Sequence, residues 1–398
     1  MAQANPIANV RFAQPAAERM AKVAHDVATK FADAVDHDGR FPTETFAALK
    51  AAGLLSVTIP REHGGEGLSL GEVASLIAEL GQACGSSSLI YAMHYIKLSS
   101  LVAHHDGSAW LTEFMRRVAR DQLLLGSATT EAGIGGDLRN SICAVEVADG
   151  WFDLTKDASV ISYARDCDAI LVTARRAADA PSSDQVMVVV EKGQYTLDQQ
   201  TLGWDTLGMR GTCSEGFKLV CRAPAEQIFP QPFAEIAAQS MLATTHCLWS
   251  ATWFGIAAGA VGKAQAFVKA EARKRPGAVP PGALRLAEAT DMLTRLKSVV
   301  VSGIHRFEAA KAADGLLGVG FAAEMNTVKT AAASLSVDVV RHALLITGLP
   351  GYRNDTPFSV GRAMRDALSG AIMISNDRIL GNTSNLLLVG KLDTNLAI

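Results

Sequence analysis

The residues that most often carry chemistry occur in this chain at spacings that exclude several familiar sites. The six cysteines form no C-x-x-C pair, and the adjacent His104 and His105 would point to different faces of a helix. Gly262-Lys263 lacks the upstream glycine and the following Ser or Thr of a phosphate-binding loop. H-E-x-x-H and G-x-S-x-G are both missing from the sequence. The chain therefore predicts no metal site, no P-loop and no hydrolase nucleophile.

A glycine-rich segment, residues 128–137, is the first stretch that favours a particular chemistry. It reads Ala-Thr-Thr-Glu-Ala-Gly-Ile-Gly-Gly-Asp, and its glycines do not form the G-x-G-x-x-G of a nicotinamide dinucleotide site. An extended strand that runs into a glycine turn can bring backbone amides and a hydroxyl close to a flat ring. Such donors suit the carbonyl and nitrogen edge of a flavin, although an ordinary β-turn is the plainer alternative.

The elements that would position this segment fall into three regions. Residues 1–122 read as helical, and Ser69 with Glu72 has the spacing of a capping box that starts a helix. Residues 123–232 alternate turns with short β-branched runs at 141–147, 169–173 and 185–190. Residues 233–398 contain four long helical stretches, at 233–273, 284–314, 321–347 and 358–380. The predicted fold class is mainly α with a central β domain: an N-terminal helical domain, a middle β-barrel-like domain and a C-terminal four-helix bundle.

Composition restricts the partners and the compartment. The chain has 398 residues, 49% of them hydrophobic and 6% aromatic, which suits helical packing through Ala, Leu and Val. A formal net charge of −3 does not favour nucleic acid. The start has no signal-peptide pattern, no apolar run is long enough to span a membrane, and unpaired cysteines suit a reducing compartment. We therefore expect a cytoplasmic protein with no nucleic-acid or membrane partner.

Segments along almost the whole chain resemble those of the acyl-CoA dehydrogenases, in the same order. Residues 128–137 resemble that family's A-x-T-E-P-x-A-G-S-D segment, and residues 160–162 lie at the position of its W-I-T strand. Residues 207–214 look like its L-G-x-R-x-(S/T) stretch. In the bundle, residues 273–277, 348–352 and 365–367 match its R-x-x-F-G, G-G-x-G-Y and R-D-A segments.

The resemblance implies a bound FAD, with FMN as the alternative. The cofactor contacts that it implies are Thr130, Gly135, Gly136, Ile161, Ser162, Arg273, Gly348 and Gly351. In the family the arginine comes from a neighbouring subunit and pairs with the FAD pyrophosphate, so the resemblance also implies a homo-oligomer, a dimer or a homotetramer. The chain departs from the family at Val160, Pro276, Leu284 and Leu345, which replace an aromatic residue, a phenylalanine and two glutamines.

The carboxylate that removes the substrate proton in the family is missing from both of its usual positions. The ninth residue after Arg365 is Ile374, and the alternative position on the first bundle helix is Thr252, followed by Trp253 in place of an arginine. The resemblance implies that Ile374, Thr252 and Trp253 line the substrate cavity. A base is needed there because the α-proton of an acyl thioester leaves from one face while hydride leaves from the other to the flavin.

Three explanations for the missing base stay open. Another residue can serve, either Asp377, one helical turn beyond Ile374, or His246, in an apolar helix rich in tryptophan. A surface aspartate and a core histidine are the plainer interpretations of these two residues. The chain can instead be a structural subunit, without a base, of a mixed acyl-CoA dehydrogenase assembly. It can also belong with the family's monooxygenases, in which reduced flavin activates oxygen and no such base is needed.

The function predicted from the sequence is that of an FAD-dependent, acyl-CoA dehydrogenase-like oxidoreductase of fatty acid metabolism. It would oxidise an acyl thioester at a CH–CH group to the enoyl form, with an unconventional or absent catalytic base. The alternatives are the flavin-dependent monooxygenase and the structural subunit. The resemblance implies an electron-transfer flavoprotein or a flavin reductase as the redox partner.

Overall fold

The computed structural model describes residues 15–135 and 137–391, and the first part of the chain in it is helical, as predicted. Its helices are α1 (Ala16–Lys22), α2 (Thr29–Asp38), α3 (Thr43–Ala51), α4 (Leu70–Ala83), α5 (Gly85–His104) and α6 (Ala109–Asp121), with a π-helical turn (Val23–Ala28) joining α1 to α2. The capping box is confirmed. Ser69 Oγ accepts from the Glu72 amide at 3.3 Å, and the Glu72 carboxylate accepts from the Ser69 amide at 2.8 Å.

The central helix of this region is α5, which is buried along most of its length. Its sequence is small or apolar on nearly every face, and a helix of that kind is stable only inside a protein. It contacts the first β-strand on one side and the first long helix of the C-terminal region on another. The helical and β regions are therefore packed through a shared core. Among the described residues, no helix combines the length and the apolarity needed to cross a membrane.

The middle of the chain forms two sheets. The strands are β1 (Leu125–Ala128), β2 (Glu146–Ala148), β3 (Trp151–Ala158), β4 (Ala169–Arg175), β5 (Gln185–Glu191), β6 (Tyr195–Gln199) and β7 (Phe217–Pro224). One sheet has the order β1-β4-β5, with β1 parallel to β4, and the other is antiparallel with the order β2-β3-β7-β6. Both faces of β4 and β5 are buried, which explains their uniformly apolar sequences, whereas β3 and β7 alternate between buried and exposed residues.

One strand is shorter than predicted. Of residues 141–147, only the last two pair as part of β2. The carboxylate of Glu131 accepts hydrogen bonds from the amides of Ile142 (3.1 Å) and Cys143 (2.6 Å), so these donors are not available to a sheet. A side chain from the preceding loop thus replaces a strand partner.

The C-terminal region is a helical bundle. It consists of α7 (Phe233–Ile236), a π-helical turn (Ala237–Met241), α8 (Leu242–Lys274), α9 (Ala283–Ala312), α10 (Val319–Thr347), α11 (Leu349–Tyr352), α12 (Gly361–Leu368) and α13 (Asn376–Val389). The long helices α8, α9 and α10 pack on one another, and α13 packs on α10. The single helix predicted over 358–380 is in fact broken, because α12 ends at Leu368 and α13 begins only at Asn376.

The three regions meet at a buried joint formed by Asp36, Gly208, Met209, Arg365 and Asp366. A Cβ atom at Gly208 would lie 2.3 Å from the Arg365 carbonyl oxygen, so only glycine allows this approach. The Met209 amide donates to Asp366 Oδ1 at 2.7 Å, and Arg365 forms an ion pair with Asp36 of α2. Burial raises the pKa of Asp366 to about 6. Two of the segments that resemble the dehydrogenases therefore hold the regions together.

Candidate active site

A cavity of about 480 Å³ lies between the starts of α8 and α10, the helix α13 and residues 137–139. Its apolar lining residues are Leu138, Ala238, Leu242, Ala243, Leu316, Leu317, Phe321, Ala322, Met325, Ile374 and Ile379. Its polar lining residues are Asp137, Arg139, His246, Asn326, Arg378, Asn382 and Asn385. The cavity therefore brings together Ile374 and His246, two predicted site residues that lie far apart in the sequence.

His246 is the buried polar residue of the cavity wall. The residue is only 5% exposed. Burial lowers the pKa of its imidazole to about 4, and the nearby Lys329 ammonium lowers this pKa further. The ring is therefore neutral at pH 7. Within the described part of the chain, its Nδ1 atom has no hydrogen-bond partner. The wall of this mainly apolar cavity thus includes a neutral imidazole ring.

The described cavity wall includes one carboxylate, that of Asp137. Arg139 Nε donates to Asp137 Oδ1 at 3.0 Å and Asn140 donates to Oδ2 at 2.9 Å. The hydrogen bond from the Arg139 guanidinium is the main cause that holds the pKa of Asp137 below its usual value. This carboxylate is already paired with a cation, which makes it a poor proton acceptor.

The other candidate base, Asp377, is exposed and is not among the residues that line the cavity. The prediction that it shares a helical face with Ile374 is wrong. Ile374 lies in the turn before α13, and helical spacing does not apply across that turn. The structure thus separates Asp377 from the position at which the dehydrogenases carry their base.

The turn that carries Ile374 is strained and is held by a buried lysine. Ile374 has φ of 47°, a left-handed conformation that is costly for a β-branched residue. The fully buried Lys329 donates from Nζ to the Ile374 carbonyl oxygen at 2.5 Å. It also donates to the Gly370 carbonyl at 2.8 Å and to Asn376 Oδ1 at 2.7 Å. Burial lowers the pKa of Lys329 to about 8, so the ammonium remains largely charged at pH 7.

The glycine-rich segment leaves the end of β1 and leads to the cavity wall. Thr130 Oγ1 donates to the Val160 carbonyl at 2.9 Å, which joins this segment to the strand-like residues 160–162. Ser214 Oγ donates to Ser162 Oγ at 2.8 Å, so the proton of the Ser162 hydroxyl can be donated to another acceptor. Arg378 donates to the Gly135 carbonyl oxygen, which ties the segment to α13.

A buried ion pair fixes the shape of this segment. Lys156 Nζ lies 3.2 Å from Glu131 Oε2 and also donates to the Thr173 carbonyl at 2.8 Å. Burial acts to raise the pKa of Glu131, but the Lys156 ammonium and the hydrogen bonds to the carboxylate outweigh it and hold the pKa below its usual value. The glutamate of the segment is therefore a structural anion, and the hydroxyl before it is the group available to a ligand.

These groups fit the polar edge of a flavin. Among the described residues the Ser162 hydroxyl has no acceptor for its proton, and Thr130 keeps an oxygen lone pair as an acceptor. Ile161 is fully buried and its amide donates to the Glu215 carbonyl at 2.9 Å, so it anchors the strand. Gly135 has φ of 58°, a conformation that favours glycine. Gly136, also predicted to contact the cofactor, lies outside the described residues.

The residues predicted to bind the nucleotide part of the cofactor lie at the ends of bundle helices. Arg273 is exposed in the last turn of α8. Gly348 ends α10 with φ of 57°, and a Cβ at Gly351 would lie 1.8 Å from Thr347 Oγ1. The local backbone geometry therefore accounts for both glycines without a bound cofactor.

Thr252 and Trp253 are fully buried, and they are not among the residues that line this cavity. Thr252 accepts from Ser88 Oγ at 3.3 Å. Trp253 donates from Nε1 to Ser369 Oγ at 3.4 Å, and its ring lies 5.5 Å from Lys329 Nζ. Of the three residues predicted to contact the substrate, only Ile374 lies on the cavity wall.

Sequence analysis missed Lys329 and Asn326. Lys329 carries the only charged side chain between Met325 and Val337, and a lone lysine in an apolar helical stretch is a signal for a buried, paired cation. Asn326 precedes it by three residues, so both lie on one side of α10. No spacing in the sequence could have paired them with residues 370–383.

Comparison with known proteins identifies relatives for both helical regions. The family model for the acyl-CoA dehydrogenase N-terminal domain matches residues 14–121, and the model for the C-terminal domain matches residues 236–382. The glutaryl-CoA dehydrogenase of Desulfococcus multivorans is 28% identical over 350 residues, which cover 85% of this chain and 86% of that protein.

Flavin monooxygenases are among the relatives as well. The probable FMNH2-dependent monooxygenase SfnC of Pseudomonas putida is 24% identical over 346 residues, covering 82% of this chain and 84% of that protein. The FMN-bound dibenzothiophene monooxygenase TdsC of Paenibacillus sp. A11-2 superposes with a TM-score of 0.80 at 18% identity, covering 95% of this chain and 98% of that one. The last likeness concerns the fold alone.

Proposed function

The chain belongs to the acyl-CoA dehydrogenase family, and from this premise we propose that it is a flavin-dependent monooxygenase for a small apolar substrate. One observation carries the proposal: the described cavity wall offers no carboxylate that is able to accept a proton. Asp137 is paired with Arg139, and the cavity wall carries Ile374, the residue that the resemblance implies in place of the dehydrogenase base. A monooxygenase reaction does not begin by removing an α-proton, so it does not need that carboxylate.

The described residues have separate roles in this proposal. Thr130, Gly135 and Ser162 would hold the polar edge of the flavin, which when reduced supplies the electrons that activate oxygen. The apolar wall, including Leu242, Phe321 and Ile374, would bind the substrate and exclude water. The FMNH2-dependent activity named for SfnC supports the proposal, and a reaction of that type needs a separate source of reduced flavin.

A second candidate function is dehydrogenation of an acyl thioester with His246 as the base. The neutral side chain of His246 on the cavity wall favours it, and so does the likeness to glutaryl-CoA dehydrogenase. Against it stands the low pKa of this histidine, about 4, because a base that weak removes an α-proton slowly. We therefore rank it below the monooxygenase.

Two experiments on flavin-loaded protein separate the candidates. In the first, chemically reduced flavin and oxygen are supplied with a panel of small aromatic and branched aliphatic compounds, and products are analysed by mass spectrometry. We expect a product that is heavier by one oxygen atom and that carries label from ¹⁸O₂. In the second, oxidised protein is mixed anaerobically with acyl-CoAs, and we expect no bleaching of the flavin. Bleaching by an acyl-CoA, without any oxygenated product in the first experiment, would contradict the proposal.

The variant Ile374→Glu is the matched control for the anaerobic experiment. It places a carboxylate where the resemblance implies the dehydrogenase base and leaves Thr130, Gly135 and Ser162 unchanged. If the wild-type protein fails to bleach only because the base is missing, this variant should gain acyl-CoA-dependent bleaching. Bleaching by both proteins at similar rates would show that another group serves as the base.

We also propose that the protein is a homo-oligomer. Leu284, Leu345, Leu349 and Tyr352 are each more than half exposed, at 73%, 51%, 68% and 73%. A Cβ atom at Gly282 would lie 3.5 Å from Ile346 Cγ2, so the start of α9 lies beside the end of α10, where these residues are found. A second copy covering this apolar surface would remove it from water. Light scattering coupled to size-exclusion chromatography tests this, and a monomer at micromolar concentration would contradict it.

A further inference from the structure

One wall of the cavity is a polar face of α13. Arg378, Asn382 and Asn385 all line the cavity and are exposed. Their spacing of four and then three residues places them on one side of the helix. The wall from α10 is mainly apolar and buried, with Phe321 and Met325 only 8% and 2% exposed. A ligand with an apolar body and one polar end would match this division.

The side chain of Asn382 presents a hydrogen-bond donor on this face. Thr383 gives its proton to the Ile379 carbonyl at 2.9 Å, so its oxygen accepts from Asn326 Nδ2 at 3.0 Å. The same NH2 group of Asn326 donates to Asn382 Oδ1 at 3.0 Å. These bonds fix the orientation of the Asn382 amide, and its own NH2 group has no acceptor among the described residues.

Arg378 gives this face a positive charge. It donates to the carbonyl oxygen of Gly135, a neutral group, and a guanidinium has five N–H donors in all. The other charged residues of the described lining, Asp137 and Arg139, form an ion pair with each other. Asp377, the carboxylate next to Arg378 in the sequence, is not part of the lining. The described lining therefore carries a net positive charge beside a donor amide.

We propose that Arg378 and Asn382 form an anion-recognition site, and that the substrate is a small apolar molecule that carries a carboxylate or a similar oxyanion. This inference rests on the proposed function, since it names the substrate class of the same site. A guanidinium and an amide NH2 both donate to carboxylate oxygens, and a charged acceptor makes these bonds stronger than bonds to a neutral oxygen. The apolar body would lie against α10, while the anion stays on the exposed face and keeps part of its hydration.

A flavin phosphate is the other anion that this site could receive. Arg378 is bound to Gly135, in the segment that is predicted to contact the cofactor. Riboflavin has the same ring system as FMN and no phosphate. Experiments with both flavins therefore separate a substrate anion from a cofactor anion.

Binding of two matched probes, 2-naphthoate and 2-naphthamide, tests the inference. They have the same aromatic body and nearly the same shape, but only the first carries a charge. Protein saturated with oxidised FMN is titrated by calorimetry without any reductant, so that no turnover occurs. We expect 2-naphthoate to bind about 5- to 10-fold more tightly at low salt, a value between those of an exposed ion pair and a buried charged hydrogen bond. At about 0.5 M salt, screening should reduce this preference to about 2-fold.

Three variants locate the source of the preference. Arg378→Gln removes the charge, and Asn382→Asp keeps the acceptor for Asn326 but replaces the donor by a carboxylate, so in each the preference should fall to about 1-fold or below. Lys391→Gln is the matched control, because it also removes one positive charge, from an exposed residue outside the cavity lining. Its preference should stay within about 2-fold of the wild type. Thermal unfolding confirms that each variant is folded at the temperature of the titration.

Equal affinity of the two probes for the wild type, failure of 2-naphthoate to bind, or a preference that survives in both Arg378→Gln and Asn382→Asp would each overturn the inference. A loss of about 10-fold in FMN affinity in Arg378→Gln, with riboflavin affinity and probe preference unchanged, would assign the site to the flavin phosphate and also overturn it. These titrations need neither reduced flavin nor oxygen. Oxygenation of a neutral substrate in the turnover assay, together with equal probe affinities, would therefore refute the substrate class and leave the proposed reaction intact.

Discussion

Replacing Lys329 by methionine tests whether this buried ammonium holds the cavity wall in place. The change keeps an apolar chain of similar length and leaves three buried acceptors, on Gly370, Ile374 and Asn376, without their donor. An unsatisfied buried acceptor costs about 1–3 kcal/mol, so the gross loss for three is roughly 3–9 kcal/mol. The lowering of the Lys329 pKa from 10.5 to about 8 shows that the buried charge is itself unfavourable, by about 3 kcal/mol that the variant recovers.

Subtracting the recovered ~3 kcal/mol from the gross loss leaves about 0–6 kcal/mol, and we expect Lys329→Met to lower the free energy of unfolding by about 3 kcal/mol at pH 7, the middle of that range. Urea denaturation followed by circular dichroism measures it. Lys263→Met is the matched control, since among the described residues Lys263 donates to a single acceptor, the Ser359 carbonyl at 2.7 Å, and its loss should cost about 1 kcal/mol. If Lys329→Met costs no more than this control, the ammonium does not hold the turn.

The wild type and Lys329→Met should also differ in how their stability depends on pH. The pKa of Lys329 is lower in the folded state than in the unfolded state, so the unfolded chain binds more protons between about pH 8 and 10.5. Stability from this residue therefore rises with pH in that window, and the methionine variant lacks the rise. The difference in unfolding free energy between wild type and variant should widen from pH 8 to 10, and a constant difference would contradict the assigned pKa.

Three further predictions concern other buried or cofactor-binding groups. Because burial raises the folded-state pKa of Asp366 to about 6, the wild type should lose stability as the pH rises from 4 to 7. Asp366→Asn keeps the acceptor for the Met209 amide, so over the same pH range it should become more stable relative to the wild type by up to about 3 kcal/mol. If urea denaturation shows the same pH dependence for both proteins, the prediction is wrong. Glu131→Gln should cost about 3–5 kcal/mol by leaving Lys156 unpaired, and adding Lys156→Met should recover at least half of that loss in the same assay. Arg273→Ala should weaken FAD binding by about 1.5–3 kcal/mol without changing FMN binding, as measured by fluorescence titration; equal losses for both flavins would mean that this arginine does not bind the pyrophosphate.

The helical part of the fold could be predicted because its signals are local. The Ser69–Glu72 capping box and the apolar periodicity of the three long bundle helices depend on residues a few positions apart, and the observed helices agree with them. The strand predicted at 141–147 failed for a nonlocal reason, since Glu131 takes the amides of Ile142 and Cys143. The helix predicted over 358–380 failed because nothing local reports the left-handed turn at Ile374.

The residues of the candidate site were likewise only partly predictable from the sequence. His246 and Ile374 were found from sequence and do line one cavity, whereas Asp377 was placed by a helical spacing that does not exist there. The contribution of Lys329 depends on acceptors more than 40 residues away, so its part in the site appears only in three dimensions.

The joint around Gly208 and Asp366 restricts the motions by which a ligand can reach the cavity. The β region, α2 and the bundle are held together there by the close approach of Gly208 to the Arg365 backbone, by the buried Asp366 carboxylate and by the ion pair of Arg365 with Asp36. A rigid-body movement of one region away from the others would expose all of these groups to water. Domain opening is therefore an unfavourable route for ligand exchange. We expect passage to the cavity instead past Arg139 and Arg378, the exposed residues of its wall. Ligand exchange should therefore proceed on the nanosecond-to-microsecond scale of loop and side-chain motion, while the scaffold stays closed.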